Sequence, residues 1–178
     1  AVVFLFVGKF VDKKRPMDAI RATELLHAKG LPVHLLMVGD GRLRSECEQY
    51  STEERLPVSF TGFLNQGEIA QAYASSDVLV VPSAYAETWG LVANEAMACG
   101  LPAIVSDRVG CGPDLVKPGT TGAVFPAADV AALAKAMTTY AEDVSLAKEQ
   151  GANANKHLEG YSVTAAAENT IAALLSLA

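Results

Sequence analysis

Glu87 and Glu95 interrupt one of the most apolar parts of the chain, "PSAYAETWGLVANEAMACGLP" at residues 82–102. The segment lies between a run ending in "VVPS" and the breaker pair "CGLP", which predicts a helix over residues 88–98, entered near Gly90 and ended by Gly100. Leu91, Val92, Ala93, Ala96, Met97 and Ala98 make that helix apolar on nearly every face, the pattern of a buried helix. A carboxylate on such an element is costly unless it is paired or hydrogen-bonded. A purely structural account is available: Glu87 as a helix-start charge favoured by the macrodipole, and Glu95 on a solvated edge. The spacing also suits chemistry. At a rise of about 1.5 Å per residue, Glu95 falls about 7–8 Å along the axis from Gly90, while Glu87 stays ahead of the helix start. Two acids able to bind hydroxyls are then separated by a helix amino terminus able to bind an anion.

Cations are available for the same anion. The stretch "GKFVDKKRP" places Lys9, Lys13, Lys14 and Arg15 just after the first apolar run. By itself it reads equally as a solvated turn before a helix started by Pro16. At the carboxyl end of a neighbouring strand, Lys9 and either Lys13 or Lys14 reach a diphosphate, and ammonium groups act as point charges on phosphate. Hydroxyl-binding acid, anion site and hydroxyl-binding acid match the groups of a nucleoside diphosphate sugar: hexose diol, diphosphate and ribose diol.

Those residues need a scaffold that brings loops together. Apolar runs at 2–7, 33–38, 57–60, 77–81, 103–105 and 122–125 read as strands, several of them continuous as in strands covered on both faces. Helical patterns fill the gaps at 16–29, 42–50, 66–74, 88–98, 129–141, 144–157 and 162–176. This alternation predicts an α/β fold with a doubly wound, mainly parallel six-stranded sheet, because parallel neighbours need a crossover helix. Ligands of such sheets bind beyond the carboxyl ends of the strands, near the point where strand order reverses. The tail helix carries Val163, Ala167, Ile171 and Leu174 on one face, either to cap the sheet or to pack on a further part of the protein.

Composition bounds the remaining possibilities. The chain has 178 residues, 51% hydrophobic and 19% charged, enough for one core and one domain spanning residues 1–178. Its net charge of −6 gives no global signal for nucleic-acid binding. No apolar run is long enough to cross a bilayer, and no secretory leader pattern opens the chain. Cys47, Cys99 and Cys111 match neither a zinc ribbon nor a redox CxxC pair, so free thiols in a reducing, cytoplasmic compartment are expected, with Cys99 a small core residue beside Met97. The cytoplasmic face of a membrane stays open as the location of a longer protein. His27, His34 and His157 match no ligand spacing, so no metal is expected. "GDGRLR" follows the second strand and lacks the third glycine of a dinucleotide loop, so it reads as a tight turn. Ser83 sits in no G-x-S-x-G elbow, which argues against a hydrolase triad.

The stretch "PSAYAETWGLVANEAMACGLPAIVS" resembles the Glu-x7-Glu segment of the group 1, family 4 retaining glycosyltransferases of the GT-B fold. "FVGKFVDKKRP" is similar to their first-strand basic loop, and "HLLMVGDGRLRSECEQ", "VSFTGFLNQGEIAQAYASSDVLVVPS" and "GCGPDLVKPGTTGAVFPAADVAALAKAM" follow the order of their later blocks. The resemblance implies the Rossmann-like, donor-binding carboxyl-terminal half of such an enzyme, with an amino-terminal acceptor half beyond this chain. It implies that Glu87 contacts the donor sugar, that Glu95 binds the ribose diol, and that the amides of Trp89, Gly90 and Leu91 hold phosphate. Lys9 and Lys14 take the place of the basic pair, with Lys13 an alternative to Lys14, and the turn at Phe63 and Leu64 lines the base pocket. The implied partners are a nucleotide-diphosphate sugar as substrate and a sugar, lipid or small-molecule acceptor, with no cofactor, no metal and no nucleic acid. Lys9 stands where Arg is usual, Arg15 where Gly is usual, Trp89 where Phe is commoner and Asp114 where Glu is frequent. A nucleotide-sugar 2-epimerase or hydrolase of the same architecture, or a nucleotide-binding module without turnover, are the rival readings. An NAD-dependent oxidoreductase is disfavoured because no glycine-rich loop follows the first strand.

Overall fold

In the computed structural model, which describes residues 1–176, six strands form one sheet: β1 (Val2–Val7), β2 (Val33–Val38), β3 (Val58–Gly62), β4 (Val78–Val81), β5 (Ala103–Ser106) and β6 (Gly122–Phe125). Every neighbouring pair is parallel, in the order β3-β2-β1-β4-β5-β6. The strands are covered on both sides by α1 (Pro16–Ala28), α2 (Arg44–Glu53), α3 (Gln66–Ala74), α4 (Leu91–Ala98), the single turn α5 (Gly112–Leu115), α6 (Val130–Glu142) and α7 (Val144–Leu158). A three-residue turn at Glu159–Tyr161 leads into α8 (Val163–Leu175). The expected doubly wound α/β sheet is therefore present, and all its pairings are parallel. Strand order reverses between β1 and β4, and the loops after those two strands meet at the resulting crevice.

Strand periodicity divides the core in two. Val2, Phe4 and Phe6 point to one face and pack with Ile20 and Leu26 of α1 and Leu133 and Met137 of α6. Leu5, Leu79, Val81 and Val105 point to the other and pack with Tyr73 of α3 and Ala93, Ala96 and Met97 of α4. Central strands β4 and β5 are buried along their whole lengths, whereas edge strand β3 alternates half-buried and exposed positions before ending in a buried glycine. The last layer thus anchors α3 and α4 to the same apolar surface, which fixes how their polar residues meet.

Three expectations need correction. The helix expected over 88–98 is entered at Gly90, as expected, but its first residue is Leu91, because Thr88 and Trp89 lie in a bend that follows the parallel bridge of Glu87 to Val109. It is also not buried all round: Ala93, Ala96 and Met97 face the core, while Leu91 is 68% exposed and Glu95 and Ala98 are exposed. Cys99, expected in the core, is exposed, because α4 ends at Ala98 and its C-cap turns outward. Of the two roles open to the tail helix, capping the sheet is not adopted: Ala167, Ile171 and Leu174 are exposed, and α8 packs on the preceding turn. The side chain of Val163 lies outside the described residues.

Candidate functional site

The loop after β1 is shaped by its own anchors. Phe10 is fully buried and stacks edge-on against Phe6 at 5.6 Å, leaving Lys9 before it exposed at the strand end. Asp12–Lys14 then forms a three-residue turn, closed by Arg15 in the left-handed region at φ 50° and ψ 50°. That conformation costs a non-glycine residue about 1–2 kcal/mol. Arg15 offsets the cost with a two-pronged ion pair to the buried Asp18, one prong at 3.0 Å. The turn directs Lys14 across the crevice, where its ammonium pairs with Glu87 Oε2. The backbone of Lys13 fastens the turn: its carbonyl accepts the Ala84 N–H at 2.8 Å, tying this loop to the one after β4.

Glu87 lies in the loop after β4 with its side chain only 14% exposed, and Lys14 is 17% exposed. Ser83, fully buried at the end of β4, donates its hydroxyl to the same Oε2 at 2.9 Å. Ser83 is held in turn by the buried Ser106 of β5, whose hydroxyl donates to the Ser83 carbonyl. A half-buried acid and cation and a buried hydroxyl thus form a satisfied network at the carboxyl ends of β1, β4 and β5. The loop after β5 closes over it. A Cβ on Gly110 would lie 1.9 Å from the Thr88 carbonyl oxygen, so only glycine permits this approach, and the Gly110 N–H donates to the Glu87 carbonyl at 2.9 Å.

Just beyond, Gly90 enters α4 at φ 96°, and no side chain of the described residues caps that helix. Its first amides, including that of Leu91, therefore face the crevice mouth without a side-chain acceptor. The Trp89 indole donates to Asn94 Oδ1 at 2.7 Å, which fastens the ring along α4 rather than in the cleft. One turn into the helix, Glu95 accepts a hydrogen bond at 2.6 Å from the hydroxyl of Tyr73, a residue only 2% exposed. Burial first, and the bond to Glu95 second, push the Tyr73 phenol well above its ordinary pKa, so it stays a donor.

A cavity of about 660 Å³ opens beyond β1, β2 and β3 and is lined by Lys9, Gly8, Gly39, Phe63, Leu64 and Ile69, among others. Phe63 is 78% exposed, the largest exposure among the big apolar side chains. Gly39 makes the floor possible, since a Cβ there would sit 2.0 Å from the Gly8 carbonyl oxygen. In "GDGRLR", expected to be a tight turn, the turn falls at Arg42 and Leu43, closed by the Arg44 N–H donating to the Gly41 carbonyl at 3.0 Å, while Gly39, Asp40 and Gly41 line this cavity. Lys14 borders the cavity from the other side, its Cδ within 3.8 Å of where a methyl on Gly8 would project. Glu95 lines a separate groove of about 490 Å³ with Asn94, Leu158 and Tyr161, while α3 lines the cavity with Ile69 and bonds Glu95 through Tyr73.

The structure therefore gathers Lys14 with Glu87, Lys9 with Phe63 and Leu64, and Glu95 with Tyr73. Sequence reasoning passed over Ser106 and Tyr73, and it weighed Ser83 only as a hydrolase nucleophile and Gly39 only as part of a turn. Polar residues ending the apolar runs "VVPS" and "AIVS" were the only available signal for the two serines. His34 bonds Ser59 at 2.9 Å and His157 the Asp114 carbonyl at 2.8 Å, surface roles in both cases. Among the described residues no three His, Cys, Asp or Glu side chains form a metal-binding group, and no helix is long and apolar enough to cross a membrane.

Comparison with known proteins places this geometry. Residues 1–157 match the family profile of the glycosyl transferases group 1. The sulfoquinovosyl transferase of Arabidopsis thaliana is 38% identical over 135 residues, covering 74% of this chain and 26% of that protein. The D-inositol 3-phosphate glycosyltransferase of Actinosynnema mirum is 32% identical over 185 aligned positions, covering 97% of this chain and 44% of that one. Among solved structures, Anabaena HepE in complex with UDP and glucose superposes with a TM-score of 0.81 at 26% identity, covering 99% of this chain and 48% of HepE. Sucrose-phosphate synthase from Thermosynechococcus elongatus gives 0.80 at 29% identity, covering 99% and 46%. The chain spans less than half the length of each of these relatives. With an all-parallel sheet, a crevice at its switch point and a profile match over most of its length, the chain belongs to the group 1 glycosyl transferases.

Proposed function

We propose that this chain is the donor-binding half of a metal-independent, family 4 retaining glycosyltransferase, taking a nucleotide-diphosphate sugar. The observation that carries this reading is the Lys14–Glu87–Ser83 network beside the uncapped amino terminus of α4 at the β1/β4 switch point. Glu87 Oε2 is held by Lys14 and Ser83, leaving Oε1 to accept hydroxyls of the sugar. Lys14, Lys9 and the amides at Trp89, Gly90 and Leu91 neutralise charge that grows on the departing diphosphate as the anomeric carbon–oxygen bond breaks. Here Lys14, fixed by Glu87, takes the role that Lys13 could equally have filled on spacing alone. The base sits against Phe63 and Leu64 in the larger cavity, and Glu95 binds the ribose diol. The UDP and glucose in the HepE structure support a diphosphate and a hexose as the ligand's chemistry.

The acceptor attacks on the face from which the diphosphate leaves, and its binding groups belong to an amino-terminal half of the longer protein. The exposed apolar face of α8, with Ile171 and Leu174, supports contact with such a half. A cytoplasmic location suits the free thiols.

Calorimetry against UDP-, GDP- and ADP-sugars tests the reading and identifies the base. Glu95→Ala is expected to weaken bare nucleoside diphosphate about tenfold or more, the loss of one charge-assisted contact. Glu87→Ala should leave that affinity nearly intact and abolish the extra affinity contributed by the sugar. Equal loss of nucleoside diphosphate affinity in both variants contradicts the division of roles. In the longer protein, transfer to an added acceptor separates a transferase from an epimerase or hydrolase, which yields epimer or free sugar without one. Donor binding with no transfer across a broad acceptor panel supports a binding module.

A further inference from the structure

Tyr73 is the buried group whose position the sheet and core do not by themselves require. It is 2% exposed, among Ala72, Leu79, Ala93, Ala96 and Met97, a setting in which phenylalanine packs equally well. Its hydroxyl nonetheless crosses from α3 to α4 and donates to Oε2 of Glu95 at 2.6 Å. The two partners differ in mobility: the ring is locked by packing, while Glu95 is exposed and has three rotatable bonds. Among the described residues no other side chain hydrogen-bonds the Glu95 carboxylate. One oxygen is thereby pinned and the other is presented in a defined direction, the arrangement that precise recognition of a ligand needs.

We propose that Tyr73 is a positioning residue that orients Glu95 toward the ribose diol and so sets the preference of this site for ribonucleotides over 2′-deoxyribonucleotides. The proposal rests on the donor-binding reading above and adds to it the group that makes Glu95 selective. Because the phenol donates, the carboxylate enters the site as an acceptor, with Oε1 and the remaining lone pair of Oε2 open to the two ribose hydroxyls. Loss of the 2′-hydroxyl removes one partner from a prearranged acceptor. Loss of the Tyr73 hydroxyl frees the acceptor to rotate, so that a diol and a single hydroxyl are bound almost alike.

The test is calorimetry of this chain with six probes: UDP, GDP and ADP, each also in its 2′-deoxy form. For the base that binds, wild type should prefer the ribo form by about tenfold, the worth of one charge-assisted hydrogen bond. Tyr73→Phe should weaken the ribo form by a similar factor and leave the 2′-deoxy form nearly unchanged, bringing the ratio toward one. A structural role alone lowers both affinities together and keeps the ratio, which overturns the proposal. Glu95→Gln, made on an exposed side chain with Tyr73 intact, provides an independent arm: its ratio should also fall toward one, and retention of the wild-type ratio overturns the proposal even if Tyr73→Phe fails to fold. If wild type binds none of UDP, GDP and ADP, the donor-binding reading itself falls, and the proposal with it. If wild type binds and the ratio survives Tyr73→Phe alone, only the role of Tyr73 falls; if it survives Glu95→Gln as well, the assignment of the ribose diol to Glu95 falls with it.

Discussion

Glu87 and Glu95 belong to one short segment of the chain, yet their surroundings are opposites. Glu87 lies in a loop with 14% of its side chain exposed, met by an ammonium from one neighbouring strand end and a buried hydroxyl from its own. Glu95 rides on the exposed side of α4 and is held by a neutral phenol. The difference follows from solvation. A carboxylate withdrawn from water needs an opposite charge and further hydrogen bonds, whereas one that keeps its water needs only a partner to orient it. Damage at Glu87 should therefore register in folding as well as in binding, and damage at Glu95 in binding alone.

Stability measurements can break this contrast. Glu87→Ala or Lys14→Met should each cost about 3 kcal/mol in urea unfolding, the lower end for breaking a buried pair because both groups retain some solvent. The double variant should recover much of that loss, and Glu95→Ala should cost under about 0.5 kcal/mol, as for a surface change. Single losses below about 1 kcal/mol at Glu87 would show that the pair behaves as a surface salt bridge. Ser83→Ala comes next, at about 1.5–2 kcal/mol for a buried hydroxyl donating to a charged acceptor, read in the same experiment. Placement of the Lys14 loop is sharpened by comparing two substitutions at Arg15. Arg15→Ala loses the ion pair and keeps the left-handed strain, whereas Arg15→Gly loses the pair and relieves the strain, so the glycine variant should be more stable by about 1 kcal/mol.

Thiol chemistry gives the smallest signal. Cys99, one turn beyond Glu95, should react with a disulfide reagent in the folded chain, while the buried Cys47 and Cys111 react only after unfolding. Burial pushes the Cys47 thiol up to about 12 and the Cys111 thiol up to about 11, from an ordinary 9.0. Below pH 9 both folded and unfolded chains hold these protons. As pH rises through the 9–12 window the unfolded chain loses its protons first, so stability should decline across that window and not below it. Melting temperatures between pH 7 and pH 11, compared for wild type and Cys47→Ala, measure the part due to Cys47.

Local pattern was informative wherever a segment interacts mainly with a uniform surface. The runs at 2–7, 33–38 and 122–125 became strands with those bounds, because unbroken apolar residues suit a strand covered on both sides. The run at 57–60 extended to Gly62, since backbone pairing with β2 continues past the last apolar residue. The single turn Gly112–Leu115 went unforeseen, being too short to show a helical period. Residues 88–90 gave no local sign that they would lie outside the helix, because the contacts that hold this stretch, Glu87 with Val109 and the Trp89 carbonyl with the Cys111 N–H, are remote in sequence. The exposure of Cys99 escaped for a related reason: it depends on where α4 ends against α7.

The chain's own residues determined a parallel α/β sheet, two acids flanking a helix start and a basic loop near them, because periodicity, turn residues and charge are local properties of the polymer. Tertiary structure alone decided that Lys14 reaches Glu87, that Ser83 and Ser106 stand behind that acid, and that Tyr73 holds Glu95. Those contacts join positions up to 73 residues apart, and their geometry depends on strand order and on the packing of α3 and α4 over one apolar face. Such relations come into being only when the core forms and excludes water.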